Sequence, residues 1–131
     1  MPQTIQQSVT LPATPARLFA MYLDPKLHAA ITGALVTISP EPGSPFHAFD
    51  GALSGTMLYT VPQRLIVQTW RSTHWNNDDL DSILVLTFWP AGEVGRIDLV
   101  HVNVADHDVP GVTEGWEKYY WKPWRQYLQS H

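Results

Sequence analysis

Residues 64–104 read RLIVQTWRSTHWNNDDLDSILVLTFWPAGEVGRIDLVHVNV, and they decide the fold. Three strand-type runs stand out, 64–71, 82–89 and 95–104, each rich in β-branched and aromatic residues. A polar loop at 72–80 separates the first two, and Pro90-Ala91-Gly92 turns the chain between the second and third. Runs this close, joined by turns and not by helices, predict an antiparallel meander and exclude a parallel sheet. On 64–71, Ile66, Gln68 and Trp70 share one face, while Leu65, Val67, Thr69 and Arg71 share the other. On 95–104, Ile97, Leu99 and His101 lie on one parity, so apolar neighbours carry the imidazole inward with them.

Toward the N-terminus the strand signals continue. Segment 52–61 ends at Pro62-Gln63, and segment 45–49 runs into Asp50-Gly51, the strongest two-residue hairpin signal in the chain. Segment 34–39 (ALVTIS) is expected to be a further strand, ended by Pro40-Glu41-Pro42-Gly43. Upstream, Thr14-Pro15 and Asp24-Pro25 are two helix starts, each a capping side chain followed by proline at the first helical position. The first helix carries Leu18, Phe19 and Tyr22 at helical spacing, and the second is expected to end at Gly33. Residues 3–11 form a first strand with Ile5, Val9 and Leu11 on one parity.

Beyond 104, residues 112–128 carry Trp116, Tyr119, Tyr120, Trp124, Tyr127 and Leu128, which predicts a long aromatic-faced helix. Pro123 lies inside it, so its ring meets the Tyr119 carbonyl and a kink is expected. One strand, two short helices, a run of strands and a long helix make an α+β architecture. The expected form is a curved antiparallel sheet of about six to seven strands with the C-terminal helix packed across it, in a single domain spanning 1–131. Space enclosed between such a sheet and helix is where a ligand sits.

Composition narrows the function. The chain has 131 residues, 44% of them hydrophobic and 15% charged, which excludes disorder and a coiled coil. With no cysteine, disulfides, thiolate metal sites and thiol nucleophiles are excluded. The net charge of −4 sits entirely in residues 66–131, which hold five cations against nine anions. No basic patch offers itself to a phosphate backbone, so nucleic acid is not an expected partner. No apolar run approaches the ~20 residues of a membrane helix, so no membrane association is expected. Met1–Thr10 shows no signal-peptide pattern, and a cytoplasmic location is expected.

The series Phe46-His47-Ala48-Phe49-Asp50-Gly51, Ser54-Gly55, Val61-Pro62, Ile66-Val67-Gln68-Thr69-Trp70-Arg71, Trp75, Leu86-Thr87-Phe88, Gly115-Trp116 and Tyr119-Tyr120 resembles the activator of heat-shock-protein ATPase family. The likeness is to the C-terminal domain of the ninety-kilodalton chaperone's co-chaperone, within the START-like, helix-grip superfamily, and runs from about residue 8 to 128. It implies the helix-grip fold, and it implies a chaperone as a possible partner in a stress-response setting. The family's apolar face puts Ile66, Gln68 and Trp70 inward, toward the helix.

The candidate site follows from that face. Ile66, Gln68, Trp70, Leu84, Leu86, His101, Trp116, Tyr119 and Tyr120 are expected to line a cavity for a small hydrophobic or amphipathic molecule. A buried Gln68 amide needs a partner, and His101 is the natural one, its neutral imidazole able to exchange hydrogen bonds with Gln68 or with a tyrosine hydroxyl of the last helix. The acidic stretch 74–81 lacks the glycine and glutamate of a calcium loop and reads as a solvated hairpin tip. Asp106-His107-Asp108 reads as a loop, and no metal or other cofactor is expected. No G-x-S-x-G, H-E-x-x-H, P-loop or G-x-G-x-x-G occurs, so no catalytic residue is assigned. The leading expectation is a non-enzymatic ligand-binding protein. The alternatives are a chaperone-interacting module and a cyclase or hydratase using His101 with a tyrosine hydroxyl.

Overall fold

A computed structural model describes all residues, Met1–His131. Strand β1 (Gln3–Leu11) leads into helices α1 (Pro15–Leu23) and α2 (Pro25–Thr32). Thr14 Oγ1 accepts the Arg17 N–H at 3.2 Å, and Asp24 Oδ1 accepts those of Lys26 at 2.8 Å and Leu27 at 3.2 Å. Each cap satisfies amides that the first turn leaves open, a contribution of about 1 kcal/mol. Gly33, at φ 80°, ends α2 with its N–H on the Ala29 carbonyl, as only a residue without a Cβ does freely.

Strands β2 (Pro45–Ala48), β3 (Leu53–Val61), β4 (Leu65–Ser72), β5 (Ser82–Ala91) and β6 (Val94–Val104) complete one six-stranded antiparallel sheet in the order β1-β6-β5-β4-β3-β2. The inward parity of Ile66, Gln68, Trp70, Ile97, Leu99 and His101 is as the alternation predicts, because no bulge interrupts residues 66–70 or 97–101; the one in β6 lies between His101 and Val104. The strand expected over 34–39 does not form. It makes one antiparallel bridge, Thr37 with His47, because β2 is only four residues long and Pro40 and Pro42 end the segment. The Asp50-Gly51 hairpin forms, but with four loop residues. Phe49 and Asp50 join Gly51 at positive φ (52°, 56° and 84°), and Ala48 pairs with Leu53.

The C-terminal helix comprises α3 (Val109–Trp116), a π-turn (Glu117–Trp121) and α4 (Lys122–Ser130). Pro123 has no N–H for the Tyr119 carbonyl, and the helix accommodates it by widening one turn: the Lys122 N–H reaches the Glu117 carbonyl, five residues back. The extra residue in that turn points Tyr120 and Trp121 both inward and turns Tyr119 out, where it is 47% exposed. Trp116, Trp121 and Trp124 stack in sequence, with ring centroids 5.4 and 6.3 Å apart. The core lies between this face, α1, α2 and the inner face of the sheet. No helix is long and apolar enough to cross a membrane.

Candidate functional site

A cleft of about 400 Å³ opens between the β2–β3 loop, β4 and the C-terminal helix. Phe49, Trp70, Trp116, Tyr119 and Tyr120 supply its aromatic walls, and Ser72, His74 and Asp108 bring polar groups to it. The left-handed backbone at Phe49, unfavourable for a side chain of that size, sets its ring edge-on to Tyr119 at 5.4 Å and Tyr120 at 6.2 Å. Gly111 and Gly115 keep the helix thin on the cleft side.

Behind the walls, His101 is fully buried between Trp70 and Trp116. The Trp116 indole N–H donates to His101 Nδ1 at 3.2 Å, which fixes that nitrogen as the acceptor and leaves the proton on Nε2. The Nε2–H then donates to Ser82 Oγ at 2.8 Å, and the Ser82 hydroxyl donates to the Trp70 carbonyl at 2.6 Å. One relay thus ties two cleft walls together. Burial pushes His101 from 6.5 down to about 3. Protonation would also set an N–H against the Trp116 N–H.

A second buried histidine lies behind Tyr120. His28 Nδ1–H donates to the Tyr22 carbonyl at 2.7 Å, so Nε2 accepts the Tyr120 hydroxyl proton at 2.8 Å. Burial pushes His28 from 6.5 down to about 4, against a smaller upward pull from that carbonyl. The Tyr120 and Tyr22 phenols are both pushed above their ordinary range by burial.

Of the nine residues expected at the site, Trp70, Trp116, Tyr119 and Tyr120 line the cleft. Ile66, Gln68, Leu84, Leu86 and His101 are fully buried in the core and are not among its lining residues. Gln68 and His101 do not meet. Both face Leu84 across the register, Gln68 from β4 and His101 from β6, so two strand spacings separate them, about 9–10 Å. His101 also meets no tyrosine hydroxyl, so the expected His101–tyrosine acid–base pair does not form. Gln68 Oε1 instead accepts the Tyr22 hydroxyl at 2.7 Å. Gln68→Leu should therefore cost about 1–3 kcal/mol by stranding that hydroxyl, whereas the Gln68→Leu/Tyr22→Phe pair should restore most of it. Urea unfolding of the two singles and the double measures this coupling, and additive losses would refute it.

Sequence reasoning missed Tyr22, His28, Ser82 and Phe49. His28 carried a signal, since it stands three residues before Ile31 on a short helix whose inner face they share. The loop at 73–81 is more than a solvated tip: the Arg71 guanidinium binds the Asp79 and Asn76 carbonyls, and buried Trp75 donates its indole N–H to Asp108 Oδ2 at 2.8 Å. Asp106-His107-Asp108 forms a 3₁₀ turn in which His107 Nε2 contacts Asp79 Oδ2 at 2.8 Å. No group of three or more histidines and carboxylates converges to hold a metal ion.

A curved antiparallel sheet gripping a long helix, with an aromatic cleft between them, defines a protein of the helix-grip class. The chain belongs to the family described as "Activator of Hsp90 ATPase homolog 1-like protein", whose profile matches residues 12–129. It is 26% identical over 117 residues to the human "Activator of 90 kDa heat shock protein ATPase homolog 1", a match covering 89% of this chain and 34% of that protein. The chain thus spans about a third of that relative. An uncharacterized protein of Schizosaccharomyces pombe is 29% identical over 114 residues, covering 79% of this chain and 34% of its own length. Among solved structures, an HSP90 activator from Plasmodium falciparum superposes with a TM-score of 0.86 at 19% identity, over 96% of each chain. A Mesorhizobium loti protein gives 0.83 at 18% identity, over 98% of each. These two likenesses establish the fold.

Proposed function

We propose that the protein is a non-enzymatic binding module whose cleft takes one small amphipathic molecule. The observation that carries this reading is the lining itself. Aromatic rings from three separate parts of the chain converge on about 400 Å³, with Ser72, His74 and Asp108 among them. That volume lies in the range of small-molecule sites, about 300–1,000 Å³. A flat apolar body fits between Trp70, Trp116, Phe49 and Tyr119, and a hydroxyl or amine donor suits Asp108. Ile66, Gln68, Leu84, Leu86 and His101 support the walls from the core.

A thermal-shift screen with fatty acids, sterols and flavonoids tests this. A ligand at a hundred times its Kd adds about 2.7 kcal/mol, which raises the midpoint by several degrees. A hit whose shift disappears in Trp116→Ala supports the cleft, and silence across the panel overturns it. Family membership favours a second reading, contact with a ninety-kilodalton chaperone through the exposed surface. Unchanged ATPase turnover of the same organism's chaperone at saturating protein would exclude that reading.

A further inference from the structure

The two edges of the sheet are treated differently. β2 is four residues long, begins with a proline and is bridged by Thr37, all features that blunt an edge. β1 is nine residues long, contains neither proline nor charge, and exposes Thr4, Gln6, Ser8 and Thr10. The β5–β6 turn fixes which way its backbone points. Gly92-Glu93 is a two-residue loop, so Ala91 and Val94 form a hydrogen-bonded pair, and bonded and non-bonded pairs alternate from there. Arg96 therefore bonds Trp89, and Thr10, on the other side of Arg96, turns its amide and carbonyl outward, as do Ser8 and Gln6. The Arg125 guanidinium reaches that Thr10 carbonyl at 3.2 Å, in keeping with this orientation. No protein group bonds the outward amides and carbonyls of Gln6 and Ser8.

Beside this edge runs an open groove of about 620 Å³, lined by Gln7, Ser8, Val9, Thr10, Glu117, Trp121 and Arg125. It lies across the C-terminal helix from the cleft and shares no residue with it. Glu117, Trp121 and Arg125 are four residues apart and line one side of the helix, with Arg125 about 6 Å beyond Trp121 along its axis and Glu117 somewhat closer across the π-turn. Alternate residues of a strand are about 6.8 Å apart, nearly the same step. Gln7 bonds Thr113 and Trp121, and Thr10 bonds Arg125, so the helix advances along β1 in the same sense. Neither Glu117 nor Arg125 is in an ion pair.

We infer that the open edge of β1 docks an extended peptide segment of another protein as a seventh, antiparallel strand, with an acidic, an apolar and a basic side chain at alternate positions facing Arg125, Trp121 and Glu117. Main-chain hydrogen bonds to Gln6 and Ser8 hold the strand, and the two charges choose its sequence and direction. A second copy of this chain is the wrong occupant, because Gln3–Leu11 carries no charge to offer either helix residue.

The test uses the full chain and two fluorescein-labelled heptapeptides, Thr-Glu-Thr-Val-Thr-Lys-Thr and its charge-exchanged form Thr-Lys-Thr-Val-Thr-Glu-Thr. By fluorescence anisotropy the first should bind about tenfold more tightly, as two rim pairs exchanged for two repulsions imply. The Gln6 and Ser8 amide resonances should shift and gain protection on binding. The Glu117→Arg/Arg125→Glu exchange should invert the preference. Gln6→Pro, which removes an outward N–H and no ladder bond, should abolish binding of both peptides. If Gln6→Pro does not fold, the charge exchange at the helix surface decides alone. Equal affinity for the two peptides, no saturable binding up to about 1 mM, or β1 amides protected in a peptide-free dimer would each overturn the inference.

Discussion

Lowering the pH from 7 to 4.5 should remove about 5 kcal/mol of folding stability, an amount comparable with the whole stability of a small domain. The loss comes from His28 and His101. Both are held neutral in the folded state, pushed down to about 4 and about 3, while in the unfolded chain they titrate near 6.5. Between those values the unfolded chain binds two protons that the folded one refuses. Stability is therefore fully present above pH 6.5 and falls by about 1.4 kcal/mol per pH unit for each histidine below it. The exposed His107 works in the opposite sense: its hydrogen bond to Asp79 raises its pKa, so its contribution is present in acid and fades as the pH rises through the raised value. Asp79 and Asp106, both depressed, lose their contributions only as the pH falls below the ordinary carboxylate value of 3.8, outside this window. Urea unfolding at half-unit pH steps should show a slope near 2.7 kcal/mol per unit below pH 6. His28→Gln and His101→Gln should each halve it. A flat profile between pH 6.5 and 5 would show that the histidines are not held neutral.

Only half of that acid sensitivity is visible in the sequence. His101 was legible because period-two alternation with Ile97 and Leu99 carries it inward, and the bulge marked by Asn103 at φ 64° falls beyond it. Its partners were not legible. They depend on register across three strands, and the register sets Leu84 between His101 and Gln68. The C-terminal helix shows the same limit. Pro123 announces a disturbance, but a kink and a π-turn answer the missing N–H equally well in sequence terms. The structure answers with the wider turn, which seats both Tyr120 and Trp121 in the core and leaves Tyr119 at the cleft rim. The hairpin at Asp50-Gly51 was found by its turn residues. Its length was not, since nothing in a phenylalanine predicts a left-handed backbone.

Removing the His101 relay should do more than destabilise, and the choice of replacement separates its parts. His101→Ala should cost about 3–5 kcal/mol, because it opens a cavity in a closely packed layer and strands the buried Trp116 N–H. His101→Leu refills the space but still leaves that N–H without an acceptor, so a loss of about 1–3 kcal/mol remains. Asparagine and glutamine divide the imidazole between them. The Asn amide oxygen lies near the position of Nδ1 and can accept from Trp116, while the Gln amide nitrogen reaches toward Nε2 and can donate to Ser82. His101→Asn should therefore keep the Trp116 indole N–H resonance close to its native position, and His101→Gln should shift it toward that of His101→Leu. Any ligand found for the cleft should follow the same order, bound more tightly by the Asn variant than by the Gln variant, because Trp116 is a wall and Ser82 is not. Should His101→Leu prove as stable as the native protein with an unmoved indole resonance, the hydrogen bond to Trp116 contributes nothing. Packing against Trp70 at 4.8 Å would then account for the burial of His101 by itself.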